Sequence, residues 1–462
     1  MKTLKLASSG SLQANEVSDP MRSYSFADLF AGCGGLSLGL SLAGLKGRFA
    51  IERDEMAFRT FACNFIERNG PAGQFNWPTW LEQKAWDVEE LLALHKLDLE
   101  GLRGQVDVLA GGPPCQGFSF AGRRIENDPR NRLFEKYVEV VEALQPQTLI
   151  IENVPGMRVA HARRNVVELR TIGESATDKR SFYEKLVDSL SAIGYVVDAM
   201  LVDASRFGVP QKRSRLIAIG VRKNVCKWLD GGIRRVFELI EEARAEQLKE
   251  LGLPVAVSAA AALSDLETLN RPQIRCVDPE SAPGFAEADY PGPQSHYQCL
   301  MHAGHIGAMD SMRLARHRDD VRDRFARILQ ECRRGVRMND ESRRTFGIKK
   351  HRIYPLDRNE PAPTITTLPD DILHYAEPRV LTVRESARLQ SFPDWFLFKG
   401  KYTTGGELRT RECPRYTQVG NAVPPYLARA IGKALVRLLE ELAGTQAVFD
   451  QLPPETPIAA LG

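Results

Sequence analysis

Asp28 to Leu40 reads DLFAGCGGLSLGL, and no other stretch constrains the fold of this 462-residue chain as much. The apolar run SFADLF (25–30) enters a turn carrying Gly32, Gly34 and Gly35, and LSLGLSLAG (36–44) leaves it as a helix. Glycines between a strand and a helix allow a tight turn and let a ligand approach the backbone closely. A second apolar run, RFAIE (48–52), ends in Glu52, 20 residues after Gly32. At that separation an acid closing the second strand reaches ribose hydroxyls. Ser37 stands where GxGxxG has its third glycine, which weakens the dinucleotide reading and leaves a nucleoside one. Phe30 ends the first strand and offers an aromatic face to an adenine. Asp87, in AWDVEEL, is a candidate for the exocyclic amine, although an Asp here also suits a helix cap.

Strand and helix patterns go on alternating to about residue 222. VDVLA (106–110), TLIIENV (148–154), YVVDAMLVDA (195–204) and RLIAIGV (215–221) read as strands. LFEKYVEVVEAL (133–144) places Leu133, Tyr137, Val140, Val141 and Leu144 on one helical face. The expected class is therefore α/β, a doubly wound Rossmann-like sheet that is parallel in the main. Such sheets bind ligands beyond the carboxyl ends of their strands. That places Gly32–Gly35, Glu52, Pro113–Ser119 and Glu152–Val154 on one rim. After residue 222 the alternation stops. A charged amphipathic helix (233–252), Pro- and Gly-rich stretches (271–294) and a basic block follow, which suggests a second, smaller domain over 223–412. Residues 1–22 and 441–462 read as tails.

Three further features carry chemistry. Cys115 follows Pro113-Pro114, a stiff approach that restricts where a thiol points. Arg123, Arg124 and Arg130 could supply the positive potential a thiolate needs, and an inert buried cysteine is the alternative. Glu152 closes a buried strand, which is costly unless the carboxyl is used or paired; a turn cap is the alternative. Arg213 and Arg215 alternate before a strand, so they share a face, as binders of a base carbonyl or phosphate or as an exposed edge pair. The net charge is only +3, yet residues 303–360 hold 15 Lys and Arg against 9 Asp and Glu. That local +6 is the footprint of a nucleic-acid-binding part, or else a solvated helix surface.

Taken together, DLFAGCGGLSLGL, GGPPCQGFS, ENVPG, QKRSR, RVLTVRESARLQSFPD (379–394) and QVGNAVPP (418–425) resemble the cytosine-5 DNA methyltransferase family, in the family's order. RIYPLDRNEPAPTIT (352–366) resembles the stretch before its late motifs. The resemblance covers 23–222 and 352–440 well and 223–351 poorly. It implies that S-adenosylmethionine lies on Phe30, Gly32, Gly34, Gly35, Glu52 and Asp87, with Leu133 and Asn421 nearby. It implies that a cytosine leaves the duplex, that Cys115 attacks carbon 6, and that Glu152 engages ring nitrogen 3 and the exocyclic amine. Arg215, supported by Arg213, would hold the carbonyl oxygen. Gln116, Ser119 and Arg130 would face DNA. A helix over 426–440 would pack beside the first motif, so that 413–440 completes the catalytic domain and 223–412 recognises the target. The implied enzyme is a monomer acting on double-stranded DNA, in a restriction-modification system or as an orphan methylase.

Three rivals are weighed against this reading. The branch acting on tRNA usually carries PPCQPFT, where this chain has PPCQGFS. A regulatory DNA-binding protein without activity would not need Cys115, Glu152 and Arg215 together. A nicotinamide oxidoreductase would leave Cys115 and ENV unexplained. His296, Cys299, His302 and His305 fall at steps of three, which drift about 60° each on a helix, so no metal is expected. No apolar run of 18 residues and no CxxC pair occurs. The expectation is a reducing, cytoplasmic compartment with no membrane contact. Without large preceding regulatory domains, the source is expected to be prokaryotic and the enzyme nucleoid-associated.

Overall fold

In the computed structural model, residues 23–68, 70–113, 132–158, 180–406, 408 and 411–450 are described. Their centre is a six-stranded sheet. Its strands are β1 (Ser25–Leu29), β2 (Lys46–Ile51), β3 (Val108–Gly111), β4 (Thr148–Asn153), β5 (Tyr195–Asp203) and β7 (Ser214–Arg222), in the order β2-β1-β3-β4-β7-β5. The first four are parallel, and β7 runs antiparallel to both β4 and β5. A two-residue strand, β6 (Gln211–Lys212), leaves the sheet to pair with Ala362–Pro363.

The inner strands β1, β3, β4 and β7 are buried along most of their length because both faces are covered. Phe26, Val108, Ala110, Ile150, Ile217 and Ile219 enter one core, under α1 (Gly35–Leu42), α2 (Glu55–Phe65) and the long final helix (Pro425–Asp450). Their neighbours Ala27, Leu29, Leu109, Leu149, Ile151 and Leu216 enter the other, under α3 (Val88–Gly101), α4 (Leu133–Leu144) and α5 (Phe182–Ala192). This is the doubly wound α/β sheet that the alternating pattern predicts.

Past the sheet come α6 (Lys223–Cys226), α7 (Arg235–Leu251), α8 (Ala259–Leu263), α9 (His296–His302), α10 (Asp319–Glu331), α11 (Asp340–Thr345), α12 (Val383–Leu389), α13 (Arg415–Asn421) and α14 (Pro425–Asp450). Val236, Leu239, Ile240, Ala259 and Leu263 join the first core, so that core extends beyond residue 222. A separate core gathers Phe325, Ile328, Leu329, Met338, Phe346, Ile353, Leu373 and Val380. The terminal helix is longer than the 426–440 expected. Leu438, Leu439 and Leu442 continue its buried stripe, and the helix reaches Asp450.

α14 closes over α1 at very short range. A Cβ on Gly39 would lie 2.2 Å from the Ala428 Cβ and 2.6 Å from the Pro425 carbonyl. Glycine is what lets these two backbones meet. α1 and α14 thus complete one layer over the sheet, and α8, α9 and α12 also feed the first core.

Candidate active site

Four strand ends converge beyond the carboxyl edge. At the first, Phe30 and Gly32 both adopt a left-handed backbone (φ 58°), and Gly34 (φ 96°) starts α1. A Cβ on Gly34 would stand 2.4 Å from the Phe65 ring, and one on Gly35 2.4 Å from the Val423 carbonyl. One on Gly32 would meet nothing within 4 Å. Two of the glycines are therefore needed for packing, while the third borders open space.

Glu52 ends β2 and ties this turn down. Gly32 N–H donates to its Oε2 (2.9 Å) and Asp54 N–H to its Oε1 (2.8 Å). Burial raises the Glu52 pKa, and the two amides oppose that rise. Trp86 N–H donates to the Glu52 carbonyl (2.8 Å), which brings Asp87 alongside. Asp87 caps α3, accepting from Glu89 N–H at 2.8 Å. Leu133 opens α4 and shares the second core with Phe30. An aromatic ring, a carboxylate fixed at a strand end and open space over Gly32 fit a nucleoside such as that of S-adenosylmethionine. Asn421 is exposed at the end of α13.

At the fourth strand end, Arg215 Nε stands 2.6 Å from Glu152 Oε1, with both side chains nearly buried. The N–H is not aligned on that oxygen, so Glu152 Oε1 is buried without a hydrogen bond among the described residues. Asn153 pairs with Leu216 across the β4–β7 ladder, which sets Arg215 just past the end of β4. Asn153 Nδ2 donates to the Pro113 carbonyl (3.0 Å). A Cβ on Gly112 would lie 3.6 Å from Glu152 Oε2. Cys115, Gln116, Ser119 and Arg130 lie outside the described residues.

Arg213 is 2% exposed and turns inward. Its guanidinium donates to the carbonyls of Ile365 (3.1 Å), Gly420 (2.9 Å) and Asn421 (3.4 Å). It thereby joins the segment 362–366, the end of α13 and the strand that carries Arg215. Gln211 reinforces the join, accepting from Ile365 N–H at 2.8 Å.

Several residues at the site escaped sequence reasoning. Asn153 lies inside the ENV motif, and its signal was an amide closing a buried strand. Asp28 is buried beneath the glycine turn, where Ser37 Oγ donates to it at 2.6 Å. Burial raises its pKa to about 7. Gln418 crosslinks the approach to α13, donating to Lys399 and Cys413 carbonyls and accepting from Thr60 Oγ1 (2.6 Å). Burial pushes the nearby Cys33 thiol up to about 12. His296 and His302 are engaged with the Leu251 carbonyl and Asp394, each through one ring nitrogen. Among the described residues no group of three or more His, Cys, Asp or Glu is arranged to hold a metal.

The profile of a family described as C-5 cytosine-specific DNA methylase matches residues 24–437. Type II methyltransferase M.DdeI of Desulfomicrobium norvegicum is 31% identical over 430 residues, covering 90% of this chain and 89% of that protein. Type II methyltransferase M1.HphI of Haemophilus parahaemolyticus is 29% identical over 423 residues, covering 90% and 87%. A solved structure described as a DNA modification methyltransferase encoded within an Escherichia coli prophage matches with a TM-score of 0.56 at 26% identity, covering 90% of this chain and all of that one.

Proposed function

This chain belongs to the C-5 cytosine-specific DNA methylase family, and on that premise we propose how its residues divide the reaction. The enzyme methylates carbon 5 of cytosine in DNA and takes the methyl group from S-adenosylmethionine. When bound, that cofactor supplies the electrophilic methyl that carbon 5 accepts. The proposed cofactor residues are Phe30 for stacking, Gly32, Gly34 and Gly35 for the turn, Glu52 and Asp87 for polar edges, and Leu133 and Asn421 at the margin. The open space over Gly32 and the doubly anchored Glu52 support that set.

Carbon 5 of cytosine is a poor nucleophile, so the ring needs covalent activation. The target base must leave the stack to be reached. Cys115 is the proposed nucleophile: its sulfur bonds to carbon 6, and the ring electrons shift toward carbon 5 and nitrogen 3. Glu152 holds a proton at nitrogen 3 and accepts from the exocyclic amine. Arg215 donates to the carbonyl oxygen, where charge builds. Loss of the carbon 5 proton then expels the thiolate. The observation that carries this assignment is the 2.6 Å approach of Arg215 to a Glu152 oxygen lacking an aligned donor. A base edge presenting both donor and acceptor groups would complete both side chains.

Gln116, Ser119 and Arg130 are proposed to contact DNA, and the body around Phe325 to carry target recognition within 223–412. The catalytic part would be 23–222 with 413–440, framed by tails. The Type II relatives support a modification role in a prokaryote; an orphan role, a monomer and a cytoplasmic place near the nucleoid are part of the same proposal. Among the described residues no helix is long and apolar enough to cross a membrane. The test incubates the protein with labelled S-adenosylmethionine and mixed duplex DNA, then maps modified cytosines by bisulfite sequencing. Transfer that is lost in Cys115→Ala supports the reading; label on tRNA but not duplex overturns it.

A further inference from the structure

Outside the proposed cytosine pocket, five side chains stack in alternation. Arg313 lies between two rings, its guanidinium carbon 4.0 Å from the Phe285 centroid and 3.7 Å from that of Tyr402. Arg415 lies 4.5 Å from the Tyr402 centroid, and Arg316 flanks Phe285 at 5.5 Å. The backbone fixes this order, because Leu314 N–H donates to the Ala286 carbonyl (2.8 Å) and Cys276 N–H to the Phe285 carbonyl (3.0 Å). Guanidinium planes stacked on rings lose little freedom when their edges then bind a partner.

The two ends of the stack differ in charge balance. Arg415 is 1% exposed and neutralised, paired with Asp278, Glu280 and Asp310. Those carboxylates also serve Arg59 and Arg384. Among the described residues no carboxylate pairs with Arg313 or Arg316. Five guanidiniums thus face three carboxylates, and the uncompensated pair lies at the outer end. Arg316 is exposed, and Arg313 half-buried.

The stack also lies at the ligand rim. Arg59 and Met56, which touch Glu280 and Gly400, belong to the first turns of α2, which starts at that edge. Cys413 N–H donates to Asp54, whose own N–H donates to Glu52. We propose that Arg313 and Arg316 form a rigid clamp on the phosphate backbone of the substrate duplex, beside the cofactor end of the cleft. This rests on the reading of the protein as a DNA methylase. Phosphate suits the site because the outward donors form a local cationic edge, without the paired donor and acceptor that base readout uses.

The test measures binding of the full chain to a fluorescein-labelled random-sequence duplex across a potassium chloride series. The variants are Arg313→Gln, Arg316→Gln and Arg313→Lys. Each Gln variant is expected to make the slope of log affinity against log salt shallower by about one, with a several-fold loss of affinity that is the same for all sequences. Affinity for S-adenosylmethionine is expected to stay at the wild-type value. Arg313→Lys keeps the charge and is expected to restore the slope in part. Wild-type slopes in both Gln variants overturn the clamp, and so does a fall in melting temperature with the slope unchanged. A wild-type protein that binds no duplex at all instead overturns the methylase reading on which the clamp rests.

Discussion

Asn153 donates from Nδ2 to the Pro113 carbonyl at 3.0 Å, so the strand that carries Glu152 also fastens the residue two places before Cys115. The proposed acid and the proposed nucleophile are thereby referred to one backbone. Asn153→Ala leaves a buried carbonyl without this donor, at a cost of about 1–3 kcal/mol. The expected outcome is a kcat about ten- to a hundredfold lower, with affinity for S-adenosylmethionine unchanged. Single-turnover methylation and calorimetry check this, and a wild-type kcat would remove Asn153 from the catalytic argument.

The Arg215–Glu152 approach predicts non-additive losses. Glu152→Gln and Arg215→Ala should each lower kcat by about two orders of magnitude, the size expected for a general acid or an oxyanion donor. If the two groups act on one base, as proposed, the double variant should lose much less than the product of the two. Rates from all four members of the cycle decide it; simple additivity would mean the two act independently.

Two glycines should fail in different ways. Gly32→Ala adds a methyl where there is room, at the cost of a left-handed backbone, about 1 kcal/mol. It should fold and show a raised KM for S-adenosylmethionine. Gly39→Ala drives a methyl into Ala428 and the α14 backbone and should lower the melting temperature, with KM nearly intact in whatever remains folded. Calorimetry alongside cofactor titration separates the two. Equal KM values in both variants would detach Gly32 from the cofactor.

Asp28 predicts a pH dependence of stability. Its pKa rises from 3.8 to about 7, first because burial disfavours the charged carboxylate and further because Glu52 lies near, with the Ser37 hydrogen bond opposing. A raised folded pKa means that the stabilisation is complete below about pH 4 and is lost as pH climbs through 7. Asp28→Asn cannot ionise. It should flatten the melting-temperature profile between pH 4 and 8 and exceed wild type at pH 8. A parallel pair of profiles would show that Asp28 does not titrate there.

Much of this arrangement was legible in the chain itself. The period of LFEKYVEVVEAL predicts the helix at 133–144, and α4 spans those residues. Short apolar runs predict the sheet, since a strand buried on both faces must be apolar along its length. What local pattern could not convey is where a polar side chain is used. Arg213 and Arg215 look equivalent in QKRSR, yet one closes on three distant carbonyls and the other on Glu152. The Arg313 stack was illegible for the same reason: Phe285, Tyr402 and Arg415 meet only after folding. The helix over 426–440 is expected only from the resemblance, and Glu441 falls in the expected tail, whereas the structure pairs it with Arg235 of α7.

Gly39 and Ala428 touch although about 390 residues separate them, and that distance governs how the enzyme comes into being. A ribosome making this chain delivers α1 early and α14 late. Until then Gly39 and Leu40 have no lid, and contacts of such long range form slowly. The nascent protein therefore extends by about 390 residues with the α14 side of α1 uncovered. A message broken before α14 yields a polypeptide that carries all six strands, Glu152 and Arg215, yet leaves the α1 face of the sheet without its cover.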